Sequence, residues 1–283
     1  MKYSFITATY NRAHKLVDLI EHMNNISYDS FEWIVVDDGS SDGTSEVFTS
    51  AVLDSRIDFK YFKQENSGKH VALNTAIDKS NGEWLIVLDS DDYYIPECLI
   101  ELDLITSKIS PAIAGITTLT MDTKGIITGD KFPEDYQEDY FFNLMSENNI
   151  KGDKTFIYKA AILKLFKFPV FENENFLPES IVINRISLNY KNAFVNIPLE
   201  IIDYQPDGLS AKMKIISKKN PLGTSLRYQE LLVQKIKFSD RIKFKYLAFK
   251  YANLVKTDSE FINQSPSYEK MIFRLLLFLN KLK

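Results

Sequence analysis

The chain has 283 residues, of which 45% are hydrophobic and 25% charged, and its formal net charge is −4 at pH 7. A chain of this length and composition can bury a substantial core, which excludes intrinsic disorder as its main state. Its single cysteine, Cys98, excludes an internal disulfide, favours a reducing compartment and is expected to pack in the core.

The first half of the chain alternates strand and helix signals. Strands separated by helices predict βαβ units and a Rossmann-like, mostly parallel sheet flanked by helices. The predicted strands are residues 3–9, 31–36, 57–62 and 84–88, and the predicted helices are 13–23, 43–52 and 69–79. Ligands of such sheets bind beyond the carboxyl ends of the strands, so we expect the functional site there.

The second half of the chain is less regular. The predicted helices are 97–108, 135–148 and 179–190, and the predicted extended segments are 113–120, 154–158 and 193–203. Beyond Ala211 the pattern becomes helical and basic. We therefore predict an α/β domain over residues 1–210 and a C-terminal helical region over residues 211–283.

Charge is distributed unevenly between these two regions. Residues 211–283 contain 16 Lys and Arg against 5 Asp and Glu, whereas residues 1–210 contain 18 against 33. Basic amphipathic helices are typical of segments that bind an anionic membrane surface, and we favour this partner over nucleic acid, which is not expected. A helical cap on the α/β domain and a homo-oligomer contact are the alternatives.

The sequence also carries a prediction about location. No apolar signal-peptide stretch precedes the first strand, and no apolar run reaches the roughly 20 residues that a spanning helix needs. We expect a cytoplasmic protein, held peripherally at the inner face of the cell membrane where its basic helices bind lipid.

A cluster of acids follows the fourth predicted strand. Asp89, Asp91 and Asp92 lie within four residues of one another. Such like charges raise one another's pKa, and Mg²⁺ or Mn²⁺, which prefer carboxylate and phosphate oxygens, would relieve the repulsion. The strand-end position favours a metal site over the alternative, a solvated acidic turn.

Two other strand ends carry polar, glycine-containing turns. Asp37-Asp38-Gly39-Ser40 suits recognition of a base or ribose, although Asp-Gly is also common in ordinary turns. Further along, Gly68 opens a helix whose N-terminal amides suit an anion, and Lys69 adds a charge for phosphate. The alternative for Lys69 is a solvated helix start.

Four motifs occur together, in order and at the usual spacing. They are Thr9-x-Asn11-Arg12, Val35-Val36-Asp37-Asp38-Gly39-Ser40-x-Asp42-Gly43-Thr44, Asn66-x-Gly68-x-x-x-Ala72-x-Asn74 and Asp89-x-Asp91-Asp92. On these residues the chain resembles the family 2 glycosyltransferases of the A-type (GT-A) fold. The resemblance covers about residues 1–210 and is densest in the first 100.

The resemblance implies a UDP-sugar donor and assigns residues to it. Asp38 would contact the uracil, with Thr9 beside it and Asn66 close by. Asp89 and Asp91 would hold the ribose and the metal, and we take Asp91 and Asp92 as the metal ligands. The donor-binding set is Thr9, Asn11, Arg12, Asp38, Asn66, Lys69, Asp89, Ser90 and Lys212.

The catalytic base is expected in the second half of the chain. Inverting members of the family activate the acceptor hydroxyl with a carboxylate that usually starts a helix. Pro178-Glu179-Ser180 resembles the branch of the family with Pro-Glu at this point, so Glu179 is the predicted base. Ser180 stands where many relatives have Asp. Glu172 and Glu174 are the substitutes, and a first-turn helix acid without catalytic role is the alternative.

One departure from the family concerns the metal. Some relatives supply a late histidine as an extra ligand, but no histidine here lies beyond His70. The segment 204–212 resembles the loop that closes over the donor diphosphate. Lys212 is therefore predicted to neutralise phosphate charge in place of a third ligand.

The activity implied by the resemblance is inverting, metal-dependent transfer of a sugar to a saccharide or lipid-linked saccharide, in surface or capsular polysaccharide synthesis. The first alternative is a metal-dependent sugar-1-phosphate nucleotidyltransferase. That enzyme would need a Gly-rich basic loop where this chain has Ala8-Thr9-Tyr10-Asn11-Arg12. The second is a catalytically inactive nucleotide-sugar-binding protein.

Overall fold

The computed structural model describes residues 1–203, 209–255, 261 and 264–281. The strands of these residues are β1 (Tyr3–Thr9), β2 (Phe31–Asp37), β3 (Ile57–Lys63), β4 (Trp84–Val87), β5 (Tyr93–Tyr94), β6 (Gly115–Asp122), β7 (Tyr136–Asp139), β8 (Lys154–Lys159) and β9 (Asn192–Ile202). The helices are α1 (Ala13–Asn24), α2 (Thr44–Ser50), α3 (Lys69–Lys79), α4 (Cys98–Thr106), α5 (Phe141–Glu147), α6 (Ala160–Leu165), α7 (Ser180–Ser187), α8 (Leu209–Lys219), α9 (Pro221–Val233), α10 (Phe238–Ala252) and α11 (Ser267–Lys281).

All nine strands form one sheet in the order β3-β2-β1-β4-β8-β6-β9-β5, and β7 pairs with β9. Strands β3, β2, β1 and β4 are parallel, which confirms the predicted βαβ half. Strand β8 is antiparallel to both β4 and β6, whereas β9 is parallel to β6. The sheet is therefore mixed, and β1, β4, β6 and β9 all point their carboxyl ends towards the same edge.

The two larger apolar cores lie on opposite faces of this sheet. Phe5 and Trp33 pack with α1 and α4 on one face, where Cys98 is fully buried as expected. Ile6 and Ile34 pack with α3 and α7 on the other face. Every residue of β2 is buried because both faces are covered, which explains the continuous apolar runs in the central strands.

One predicted element is partly wrong. The helix expected over residues 135–148 begins only at Phe141, and β7 occupies its first part. Tyr136 to Asp139 pair antiparallel with β9 at the edge of the sheet. Backbone hydrogen bonding to a neighbouring strand decides this segment, and the local pattern of acids and aromatics does not report it.

The C-terminal helices pack on one another and, through α9, on α7. Arg185 of α7 forms an ion pair of 2.6 Å with Glu230 of α9. Tyr228 of α9 stacks on α10, and Phe249 of α10 meets Phe273 of α11 with ring centroids 5.4 Å apart. Within the described parts of the chain, no helix is long and apolar enough to span a membrane. The proposed boundary near residue 210 adjoins residues 204–208, which lie outside the described residues.

The turn before α3 is locked against a second loop at Gly68. Its φ is +99°, and a Cβ atom there would lie 2.1 Å from the carbonyl oxygen of Asn175. We predict that Gly68→Ala lowers the free energy of unfolding by about 2–4 kcal/mol, because strain and overpacking add. Gly125 also has a positive φ but open space around it, so Gly125→Ala should cost only about 1 kcal/mol.

Urea unfolding of both variants measures this difference. If both variants lost the same unfolding free energy, the close contact between Gly68 and Asn175 would not contribute to stability.

Candidate active site

A large cleft opens at the carboxyl ends of β1, β2, β4 and β9. Its volume is about 900 Å³, and both the acidic turn after β4 and the first residues of α7 line it. Every residue predicted for the site lines this cleft except Asn11 and Lys212. The predicted residues that line it are Thr9, Arg12, Asp38, Asn66, Lys69, Asp89, Ser90, Asp91, Asp92 and Glu179.

The acidic cluster has the geometry of a cation site. Asp89, Asp91 and Asp92 each offer a carboxylate oxygen, and these oxygens all lie within 4.8 Å of one another. Burial and the charge of Asp89 raise the pKa of Asp91, and burial with the charges of Asp89 and Asp91 raises the pKa of Asp92 to about 7. A divalent cation would remove the repulsion, so these three residues fit Mg²⁺ or Mn²⁺.

Lys69 connects the acidic cluster with the predicted base. Its Nζ lies 2.7 Å from Oδ1 of Asp89 and 2.6 Å from Oε1 of Glu179. Burial lowers the pKa of Lys69, but the charges of Asp89 and Glu179 outweigh it and raise that pKa overall. The ammonium group is therefore held charged in the middle of the cleft.

Glu179 sits where the chain turns into α7. It is the residue before the helix, half-buried, and its carbonyl oxygen accepts a hydrogen bond of 3.0 Å from the amide of Val182. Its carboxylate faces the cleft. The helix start thus fixes the backbone of Glu179, and its carboxylate pairs with Lys69 inside the cleft.

The two substitute acids lie elsewhere. Glu172 is exposed and Glu174 is buried, and neither lines the cleft. Glu174 accepts hydrogen bonds from the amides of Leu222 (2.6 Å) and Gly223 (2.7 Å) at the start of α9. Its role is to cap that helix, which the sequence did not reveal because the partner amides lie almost 50 residues away.

At the far end of the cleft, Asp38 is buried and holds the turn before α3. Its carboxylate accepts hydrogen bonds from the amides of Ser67 (2.9 Å) and Gly68 (2.7 Å) and from the side chain of Gln64 (2.8 Å). Beside it, Oγ1 of Thr9 is buried and has no hydrogen-bond partner among the described residues. Thr9 also lines the cleft, and its carbonyl oxygen accepts a hydrogen bond of 2.8 Å from the amide of Asp38.

Two predicted donor-binding residues lie away from the cleft. Asn11 has a φ of +52°, and its Oδ1 accepts a hydrogen bond from the amide of Ser41, so its side chain ties the first two strand-end loops together. Lys212 is exposed on α8. Residues 204–208 of the predicted diphosphate loop lie outside the described residues, and a donor contact by Lys212 stays a prediction.

The sequence interpretation missed Glu200. This residue of β9 lines the cleft, and its Oε2 accepts a hydrogen bond of 2.7 Å from Thr155. Burial and the charge of Asp92 raise its pKa well above the usual value. The strand-end rule that located the acidic cluster also applies to β9, because β9 runs in the same direction as β4.

The mixed sheet, its flanking helices and the acids at its strand ends are those of an A-type (GT-A) glycosyltransferase fold. Residues 4–164, more than half of the chain, match the model of glycosyl transferase family 2. The chain belongs to this family.

Relatives of known sequence match over the N-terminal part. The chain is 39% identical over 93 residues to an uncharacterized glycosyltransferase of Rickettsia bellii, a stretch that covers 33% of this chain and 13% of that protein. It is 35% identical over 89 residues to the poly-beta-1,6-N-acetyl-D-glucosamine synthase of Staphylococcus epidermidis, covering 31% of this chain and 21% of the synthase. The chain spans less than half the length of the curated relatives that it matches.

Solved structures share the fold over a longer stretch. S. aureus TarS 1-349 in complex with UDP-GlcNAc superposes with a TM-score of 0.64 at 19% identity, over 95% of this chain and 78% of that one. Glucosyl-3-phosphoglycerate synthase from Mycobacterium tuberculosis, in complex with Mn²⁺, UDP and glucosyl-3-phosphoglycerate, superposes with a TM-score of 0.52 at 13% identity, over 81% and 79% of the two chains. At these identities the likeness establishes the fold.

Proposed function

We propose that this chain is an inverting glycosyltransferase that moves a sugar from a UDP-sugar to an acceptor hydroxyl. The observation that carries the proposal is that one cleft holds both the acidic cluster after β4 and Glu179 before α7, which Lys69 joins. A cation site beside a carboxylate base meets the two needs of the reaction, which are a stabilised leaving diphosphate and an activated nucleophile.

The donor is proposed to lie with its nucleotide towards β1 and β2 and its diphosphate towards the acidic cluster. The position of Thr9 and Asp38 in the lining of the cleft supports a nucleotide contact at that end. Arg12 and Lys69 line the same cleft and supply positive charge for the diphosphate. The UDP-GlcNAc complex of TarS supports a UDP-sugar as the class of donor.

Mn²⁺ or Mg²⁺ is the proposed cofactor, held by Asp91 and Asp92 with Asp89 beside them. The closeness of their oxygens and the raised pKa values of Asp91 and Asp92 support a bound cation. When bound, the ion would supply charge to stabilise the departing diphosphate. The Mn²⁺ complex of the M. tuberculosis synthase supports the same class of ion.

In the proposed reaction, Glu179 accepts the proton of the acceptor hydroxyl. The hydroxyl oxygen forms a bond to the anomeric carbon on the face opposite the diphosphate, and the bond from that carbon to the diphosphate oxygen breaks. The product sugar has inverted configuration, and UDP carries away the electron pair. Glu179 needs no covalent intermediate for this role, because a single displacement inverts the centre.

The acceptor is proposed to be a saccharide or a lipid-linked saccharide in surface polysaccharide synthesis. Similarity to a poly-beta-1,6-N-acetyl-D-glucosamine synthase supports this class. Family membership disfavours a sugar-1-phosphate nucleotidyltransferase. Release of UDP from a panel of UDP-sugars, with and without EDTA, tests turnover, and the anomeric configuration of the product tests inversion.

The C-terminal helices support a peripheral position at an anionic membrane. The outer surface of α11 exposes apolar side chains about one helical turn apart, namely Tyr268, Met271, Ile272, Leu275 and Leu276. This surface belongs to the region of residues 211–283 with the strong excess of Lys and Arg. Apolar side chains with basic neighbours match the two needs of interfacial lipid binding, and a homo-oligomer contact is the alternative.

We predict that the chain floats with vesicles containing anionic lipid and that Met271→Ser with Leu275→Ser weakens this binding about tenfold. Both side chains are exposed, so the fold should survive. Vesicles of neutral lipid are the control. Unchanged flotation of the double variant, or its conversion from an oligomer to a monomer, would assign the surface to another role.

A further inference from the structure

Lys69 occupies the position at which the two functional groups of the cleft meet. Its Nζ lies 2.7 Å from each oxygen of Asp89 and 2.6 Å from Oε1 of Glu179. Both oxygens of Asp89 therefore contact the same ammonium group. Glu179 shares this ammonium although it lies 90 residues further along the chain.

The backbone just before Lys69 is held on both sides by its neighbours. Asp38 accepts hydrogen bonds from the amides of Ser67 and Gly68, the two residues just before Lys69. Asn175 closes the other side of Gly68. Any movement of the ammonium group must come from the flexible four-carbon side chain, which is a quarter exposed.

An ammonium group and a divalent ion cannot share the Asp89 carboxylate without strong mutual repulsion. In the described structure, Lys69 neutralises Asp89 and contacts both of its oxygens. A nucleoside diphosphate brings a competing set of anionic oxygens to the same point of the cleft. A lysine ammonium is a mobile point charge that can exchange a carboxylate for a phosphate partner.

We propose that Lys69 is a positioning residue that guards the cation site and holds the base until the donor diphosphate draws its ammonium group away. The metal and the nucleoside diphosphate then bind with strong positive coupling, because each favours the arrangement in which Lys69 has left Asp89. The same movement releases Glu179 from its ion pair. This inference rests on the proposed function and adds an order of events to it.

The test measures Mn²⁺ binding and UDP binding separately, by electron paramagnetic resonance and by calorimetry. In the wild-type chain Mn²⁺ alone should bind weakly, and UDP should raise its affinity. Lys69→Met should bind Mn²⁺ alone about tenfold more tightly, because the ammonium group no longer competes for Asp89. It should bind UDP in EDTA about tenfold more weakly, because one contact between the ammonium group and the diphosphate is lost. Because no ammonium group has to leave Asp89 in this variant, the coupling between metal and nucleotide should also fall.

Two variants control for charge and for unspecific effects. Lys69→Arg keeps the positive charge and should retain the weak binding of Mn²⁺ alone. Lys167→Met removes a lysine that pairs with Asp78 on the surface, outside the cleft, and should change neither affinity. Thermal melting shows whether each variant is folded. If Lys69→Met does not fold, Lys69→Gln is measured in its place.

The outcomes separate this inference from simpler roles. If folded Lys69→Met binds Mn²⁺ alone as weakly as the wild type, Lys69 does not guard the cation site. A lower UDP affinity of the same variant would then show only that Lys69 contacts the diphosphate. If the wild type binds no UDP, the proposed function fails, while the Mn²⁺ titration without nucleotide still reports on the competition at Asp89.

Discussion

Replacing Glu179 by glutamine is expected to lower kcat about 1,000-fold, within the range that a positioned general base contributes. Glutamine keeps the size of the side chain and its place before α7 but cannot accept the proton of the acceptor hydroxyl. The affinity for UDP should stay within a factor of two or so, because the nucleotide contacts proposed for Thr9 and its neighbours are untouched. Single-turnover kinetics and UDP calorimetry measure the two quantities.

The neighbouring acids provide the controls for this substitution. Glu172→Gln changes an exposed carboxylate outside the cleft and should leave kcat unchanged. Glu174→Gln weakens the cap of α9, so it should lower the unfolding free energy by about 1–2 kcal/mol and affect turnover far less than Glu179→Gln. Wild-type turnover in Glu179→Gln, or a collapse of kcat in Glu172→Gln, would assign the base to another group.

Loss of the cation is expected to have the second large effect. EDTA should abolish sugar transfer, and Mn²⁺ or Mg²⁺ should restore it. Asp91→Asn removes one of three charged oxygens that lie within 4.8 Å of one another, so its Mn²⁺ affinity in the presence of UDP should fall at least about 100-fold. Transfer at limiting metal should fall in parallel, because the departing diphosphate loses its counter-charge.

Asp78→Asn is the matched control for this experiment. Asp78 is half-exposed, pairs with Lys167 on the surface and lies outside the cleft, so both metal affinity and transfer should be unchanged. Partial recovery of Asp91→Asn at high Mn²⁺ concentration would distinguish weakened binding from a lost fold. Transfer that resists EDTA and survives Asp91→Asn would remove the cation from the reaction.

The sequence predicted the first half of the fold almost to the residue. Strands β1 to β4 and helices α1 and α3 lie within one residue of their predicted bounds, because central parallel strands are continuous apolar runs between clear turns. Edge elements were harder to predict. Strand β7 carries polar residues, and pairing with β9 stabilises it through backbone hydrogen bonds that no local pattern records.

The candidate site divides in the same manner. Strand ends located Asp38, Asp89, Asp91 and Asp92, since parallel strands bring their carboxyl ends to one edge of a sheet whatever the details of packing. Glu200 was missed because β9 reaches that edge only through the mixed order of the sheet. The sequence could have placed the end of β9 among the candidate strand ends, but it could not show that Glu200 contacts Thr155.

By itself, then, the sequence determined which residue types stand at the strand ends and hence the class of chemistry, because that information is local in the chain. Only the tertiary structure decided which acid faces the cleft and which caps a helix, and that Lys69 joins Asp89 to Glu179. Those contacts join residues 20 to 110 positions apart, and their distances depend on the packing of whole helices against the sheet.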